Sequence, residues 1–167
     1  MANRELNGLG GRLHIDVRTR SGRLVEERQV DNLITAVGKN LLAHFFSGRT
    51  EGRPELYIAV GGGSTKEDES DSALQTPLDE ALASVTNIVV KEEEGSQRAI
   101  ATVSATFKAD EGVGEQVISE AGILIKLPTE VDLGDVSSKE VLYNRVVFPV
   151  VTRTGNLELS FTWEVLF

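Results

Sequence analysis

The run Gly61-Gly62-Gly63-Ser64-Thr65-Lys66 is the first place where residue types suggest chemistry, because glycine-rich turns can present several backbone N–H groups to a phosphate. A nucleotide loop, however, ends in Gly-Lys-Ser/Thr and opens a helix, so that N–H groups and helix dipole converge. Here the order is Ser-Thr-Lys and an acidic stretch follows, which favours a strand-terminating turn with glycines at positive φ. That acidic stretch, Glu67-Asp68-Glu69-Ser70-Asp71, offers hard carboxylate oxygens, with Glu67, Asp68 and Asp71 as the cation candidates. It lacks the Asp-x-Asp-x-Asp-Gly spacing and the distal bidentate Glu of an EF-hand. The expectation is a solvated loop and no metal site. Glu92-Glu93-Glu94 before Gly95 reads similarly, as a charged hairpin end.

His14 and His44 fall on different elements without carboxylates at metal-ligand spacing, and read as an exposed strand residue and a helix-surface residue. No Gly-x-Ser-x-Gly elbow marks a nucleophilic serine. With no cysteine there is no thiolate nucleophile, thiolate metal site or disulfide framework. Paired carboxylates for glycoside hydrolysis are always nameable among 26 acidic residues, so that signal carries no weight. The sequence therefore predicts no enzyme and no cofactor.

The elements that must position these residues are mostly period-two. Leu13, Ile15 and Val17 share one face of a strand, and a turn at Ser21-Gly22 returns the chain along Arg23 to Val30. Glu26, Glu27 and Arg28 make the returning strand suit an exposed edge. This hairpin, residues 11–30, has few evident core residues, and it or a flexible arm over residues 1–10 is expected to reach a neighbouring subunit. One helix is predicted over 35–47, with Thr35 as N-cap, Gly48 as the left-handed residue after its end, and Val37, Leu41, Leu42 and Phe45 on one stripe. Gly38 inside it lowers helix propensity by about 1 kcal/mol.

Further strands are expected over 55–60, 84–93, 97–108, 117–127 and 141–152, with Pro149 marking an edge or bulge. Ser64 to Pro77 is a long loop. The last strand alternates most clearly, with Leu157, Leu159, Phe161, Trp163, Val165 and Phe167 on one face. The fold class is mainly β: an antiparallel β-sandwich of about eight strands with one α-helix packed on it, as a single domain over residues 11–167. Leu33, Val37, Leu41, Phe161 and Trp163 are the expected core. A length of 167 residues suits one domain, and a net charge of −9 disfavours contact with nucleic acid. The start offers no apolar signal-peptide core and no stretch is long enough to insert in a membrane, so a cytoplasmic setting is expected.

Several runs, in order, carry a resemblance: Asn32-Leu33-Ile34-Thr35-x-x-Gly38, Tyr57-Ile58-Ala59-Val60-Gly61-x-Gly63-x-Thr65, Leu78 with Glu80, and Ala105-Thr106-Phe107. Ile118-Ser119-Glu120-Ala121-Gly122-Ile123-Leu124, Leu142-Tyr143-Asn144-Arg145-Val146-Val147-Phe148 and Leu159-Ser160-Phe161-Thr162-Trp163-Glu164-Val165 complete the series. Together they resemble small structural proteins of tailed bacteriophages and phage-derived particles, of the tail-fibre or baseplate-attachment kind. The resemblance implies a virion structural protein, assembled in the host cytoplasm. It would act as a tail, baseplate or tail-fibre adaptor by homo-oligomerisation and by contacts with other virion structural proteins. The acidic segment after Gly63 stands outside the resemblance. Asn144 and Arg145 are either buried hydrogen-bonding groups or assembly contacts. Two alternatives stand beside this reading: a head decoration or cement protein clamping capsid subunits, and a small carbohydrate- or cation-binding module using the loop from Gly61 to Pro77.

Overall fold

Strand alternation of this kind buries one face of each strand, and in the computed structural model strands make up 62% of the chain, in two antiparallel sheets with one short helix. The structure describes residues 8–93, 95–134 and 137–167. In chain order the elements are β1 (Gly10–Thr19), β2 (Leu24–Asp31), β3 (Leu33–Ile34), α1 (Ala36–Phe46), β4 (Glu55–Gly61), β5 (Pro77–Leu82), β6 (Ser84–Glu93), β7 (Ser96–Phe107), β8 (Gln116–Asp132), β9 (Ser137–Leu142), β10 (Asn144–Arg153) and β11 (Leu157–Leu166). One sheet runs β2-β1-β11-β7-β6. The other runs β3-β10-β8-β4-β5, with β9 also paired to β8.

The core lies between the sheets and its register explains the alternation. β1 sets Leu13 opposite Trp163, Ile15 opposite Phe161 and Val17 opposite Leu159, all essentially inaccessible. On the other side of β11, Phe161 faces Ala105 and Trp163 faces Val103, so large residues alternate with small ones across the sheet. Phe107 meets Phe161 edge to face, ring centroids 5.4 Å apart. Each such side chain contributes about 1.5–3 kcal/mol through burial. The Trp163 indole N–H donates to Asn32 Oδ1 at 2.7 Å, which anchors the chain where it crosses between sheets.

The helix forms as its caps dictate. Thr35 Oγ1 accepts from the Gly38 N–H at 3.0 Å, and Gly48 adopts φ +67° beyond Ser47. Gly38 itself is required by space: a Cβ there would run into the Tyr143 carbonyl oxygen. Leu41 is fully buried, and Val37, Leu42 and Phe45 pack partly against the core.

The structure revises five expectations. Residues 11–30 do contribute to the core, because β1 is an interior strand between β2 and β11; only β2 is the charged edge. Residues 1–7 of the expected arm lie outside the described residues, and Gly10 already belongs to β1. Leu33 is half-buried, and its neighbour Ile34 takes the core position in the short β3. Phe167 is half-exposed, past the end of β11, with its N–H on the Ala99 carbonyl. Eleven strands are present among the described residues where about eight were expected, the additions being β3, β5 and β9. At Pro149 the β10–β8 register shifts between Val147 and Val151, as a proline in a ladder requires.

Candidate functional site

The segment between β4 and β5 folds over the outer face of the second sheet, and two charged residues in the middle of apolar strands hold it there. Glu120 lies in β8 between Ser119 and Ala121, and Arg145 lies in β10 before Val146-Val147-Phe148. Both are buried. Glu120 Oε1 accepts from the backbone N–H of Gly63 (3.0 Å) and Thr76 (2.7 Å). Its Oε2 accepts from Gln75 N–H (3.0 Å) and Arg145 Nε (2.9 Å). The Arg145 guanidinium continues to Asp71 Oδ2 at 2.8 Å and the Thr65 carbonyl at 2.9 Å. One ion pair thus ties both ends and the centre of the loop to two adjacent strands.

Electrostatics follow from these partners. Burial pushes the Glu120 carboxyl upward, but hydrogen bonds from Thr76, Gln75, Arg145 and Gly63 outweigh it and hold the group below the ordinary glutamate value. The Arg145 guanidinium is pushed down by burial and, more strongly, held up by Asp71 and Glu120. The carboxylate stays ionised and engaged on both oxygens.

The loop carries a second layer of bonds. Gln75 Oε1 accepts from Ser64 and Thr65 N–H, both at 3.0 Å, while its Nε2 donates to Thr65 Oγ1 at 2.6 Å. The Ala36 N–H, at the start of α1, donates to the Glu69 carbonyl at 2.7 Å, and Lys39 pairs with the Glu69 carboxylate at 3.1 Å. Leu74 inserts against Ala59, Leu124 and Leu142, a second small core on the outer face. Beside it a depression of about 430 Å³ is lined by Ala59, Leu74, Leu78, Leu124 and Leu142 together with Asp79, Glu80 and Glu140. Lys126 pairs with Glu80 and, at 3.8 Å, with Glu140, and stands 4.2 Å from the centre of the Tyr57 ring.

Most of the loop from 64 to 77 is exposed, as a solvated loop would be, and these contacts give it a fixed course. Asp71 Oδ2 accepts from the Arg145 guanidinium and from the Asp68 N–H. Asp68 Oδ1 accepts from the N–H and hydroxyl of Ser70, which lower its pKa. Glu67, Asp68 and Asp71 form no ligand cluster among the described residues. Gly61 and Gly63 are not at positive φ; they are glycine because a Cβ at either would stand 2.5 Å from Glu120 Oε1. Asn144 and Arg145 are buried and hydrogen-bonded within the chain. Asn144 Oδ1 accepts from the Ile123 N–H at 2.8 Å, replacing a backbone acceptor where Tyr143 interrupts the β9–β10 edge. His14 on β1 and His44 on α1 are both half-buried and remain on separate elements.

Closer to the start of β8, Arg153, also buried, joins Asp79 Oδ2 (2.8 Å), Gln116 Oε1 (3.0 Å) and the Lys108 carbonyl (3.2 Å). Glu120 and Arg153 were missed in the sequence. The available signal was a charge inside an apolar strand, since such a charge must find a partner when the strand is buried. Among the described residues no helix is long and apolar enough to cross a membrane. A scan against protein-family models, a search of curated proteins and a search of solved structures each returned no match.

Proposed function

We propose that this chain is a virion structural protein of a tailed phage or phage-derived particle, a tail, baseplate or tail-fibre adaptor acting through protein–protein contacts and without catalysis. The observation that supports it is the use made of buried charge. Glu120, Arg145 and Arg153, the buried charged side chains among the described residues, all face loop backbone, strand neighbours or one another, and fix the surface in a single shape. A group prepared for acid–base work would instead face a cleft with a pKa moved toward neutrality. Glu120 is moved the other way. Rigid, β-rich surfaces of this kind serve partners that recognise shape.

The test is localisation. Antibody against the purified chain is applied to particles purified from the source culture, and bound gold is scored by electron microscopy. Labelling at the tail end is expected. Labelling over the capsid would make the chain a head decoration protein, and absence from intact and opened particles would overturn the virion reading.

A further inference from the structure

Phe46 closes α1 with its side chain 99% exposed, the most exposed of the large apolar side chains among the described residues. It stands apart from Val37, Leu41, Leu42 and Phe45, which pack the helix on the core. The chain then turns through Gly48 and Gly52, at φ +67° and +75°, and Gly52 lies so close to Pro128 of β8 that a Cβ would meet its ring at 2.6 Å. The segment after the helix is thus seated on the sheet. It carries Arg49 and Arg53, both exposed and neither in an ion pair among the described residues, against one acid, Glu51. The outer face of the second sheet carries the complement. Glu80 stands opposite Ala59 and Ala59 opposite Gly122, so this row has almost no side chain in its middle, while Leu82, Tyr57, Leu124 and Leu142 fill the next row. The face dips there into the depression of about 430 Å³, apolar through Ala59, Leu74, Leu78, Leu124 and Leu142 and bordered by three carboxylates. Glu80 and Glu140 share Lys126, and Asp79 has Arg153, yet each carboxylate side chain stays more than a third exposed.

We propose that Phe46 of one copy seats in this depression on a second copy, with Arg49 and Arg53 against its carboxylate border. Shape and charge select the occupant together. An apolar hollow edged by carboxylates takes an aromatic ring flanked by cations, and this chain displays such a ring, unused by its own core, on a segment held in place. Aromatic and arginine side chains seated in pockets are also the usual anchors of protein interfaces. The net charge of −9 opposes association at long range, but physiological salt screens charges more than about 8 Å apart, so the pairing at the contact itself decides. There the local signs are opposite. Knob and hollow are different patches, which makes the contact heterologous: copies join head to tail and either close into a ring or run on as a filament. This deepens the self-assembly within the proposed function and rests on that reading only for its biological setting.

Sedimentation of the full chain over a range of concentrations is expected to show growth past the dimer. Phe46→Ser removes the knob at a position that touches nothing in the fold, and should weaken association roughly tenfold or more. Glu80→Lys/Glu140→Lys reverses the border of the hollow and should do the same, its fold checked by circular dichroism. Mixed together, these two variants keep one working half each, so the knob of the second fits the hollow of the first. A one-to-one heterodimer that grows no further is expected. A wild-type chain that stays monomeric at high micromolar concentration overturns the inference in favour of a different partner for Phe46. Association unchanged by Phe46→Ser, or folded variants that fail to pair when mixed, overturns it too. Particle labelling with Phe46→Ser associating like the parent would retain the virion reading and reject this contact; head-to-tail association lost in Phe46→Ser, without particle labelling, would do the reverse.

Discussion

Replacing Glu120 by Gln keeps the size of the side chain and removes its charge, and the consequences can be worked from its four partners. The amide oxygen can still accept from Gly63 and Thr76, but the amide nitrogen then meets the Gln75 N–H and Arg145 Nε, donor against donor. Arg145 is left buried with only Asp71 for a counter-charge. Removing one partner of a buried pair costs about 3–5 kcal/mol. For a domain of this length each kcal/mol moves the thermal midpoint by about 2–4 °C, so a loss of about 6–20 °C is expected. Denaturant unfolding gives the free energy, and limited proteolysis reports whether residues 62–76 detach. Exposed Glu115→Gln is the control, expected within about 0.5 kcal/mol of the parent. The acid limb adds a second signature. Because the folded pKa of Glu120 lies below its unfolded value, its contribution is complete above the unfolded pKa and is lost as pH falls through the folded one. Glu120→Gln should therefore flatten the acid side of the stability profile as well as lower its plateau. A loss under about 1 kcal/mol with the loop still protease-resistant would refute the argument that this pair holds the loop.

Asn144→Ala leaves the Ile123 N–H without its acceptor in the sheet, with an expected cost of about 1–3 kcal/mol and faster hydrogen exchange at that amide. Exchange at Ile123 unchanged from the parent would show that another acceptor takes over. Gly63→Ala drives a methyl group to 2.5 Å from Glu120 Oε1, and a loss of about 1–3 kcal/mol is expected by chemical denaturation. Burial pushes the Tyr143 phenol up to about 12, so ultraviolet titration of the folded protein should show one of its two tyrosines ionising near that value. With the folded pKa above the ordinary value of 10, stability is complete below pH 10 and falls by roughly 3 kcal/mol as pH rises toward 12. Tyr143→Phe should remove that decline.

Most of the sheet structure was legible because burial on one face writes a period of two into the sequence, as in Leu13-Ile15-Val17 and Leu159-Phe161-Trp163. The helix was legible through its caps. What stayed hidden depends on tertiary neighbours. β5 and β9 are short strands with charged faces, so neither shows an apolar period. The run from Val141 to Thr152 reads as one strand, and only the turn of Asn144 into the ladder divides it at Tyr143. Gly61 and Gly63 announce glycine without saying whether it supplies positive φ or room, and here it is room for a carboxylate 57 and 59 residues away in sequence. The loop from 64 to 77 looked unstructured since none of its order is periodic: its bonds go to Glu120 and Arg145, which look in isolation like misplaced charges.

Why a protein should hold a loop with a buried ion pair is a question of specificity more than of stability. Ordering the backbone costs about 1–2 kcal/mol per residue, and a neutral hydrogen bond returns about 0.5–1.5. A loop held by neutral bonds alone would then hover between ordered and loose. Bonds to charged groups contribute about 1.5–3 each, and those from Gly63, Gln75 and Thr76 to Glu120 and from Arg145 to Asp71 and Thr65 are of that kind. They are also directional, so they select one loop conformation where a greasy contact through Leu74 alone would permit several. The loop in turn caps the first turn of α1 through Glu69, which joins the outer face of the second sheet to the helix as one rigid surface. A surface fixed in this way loses little further freedom on meeting any partner.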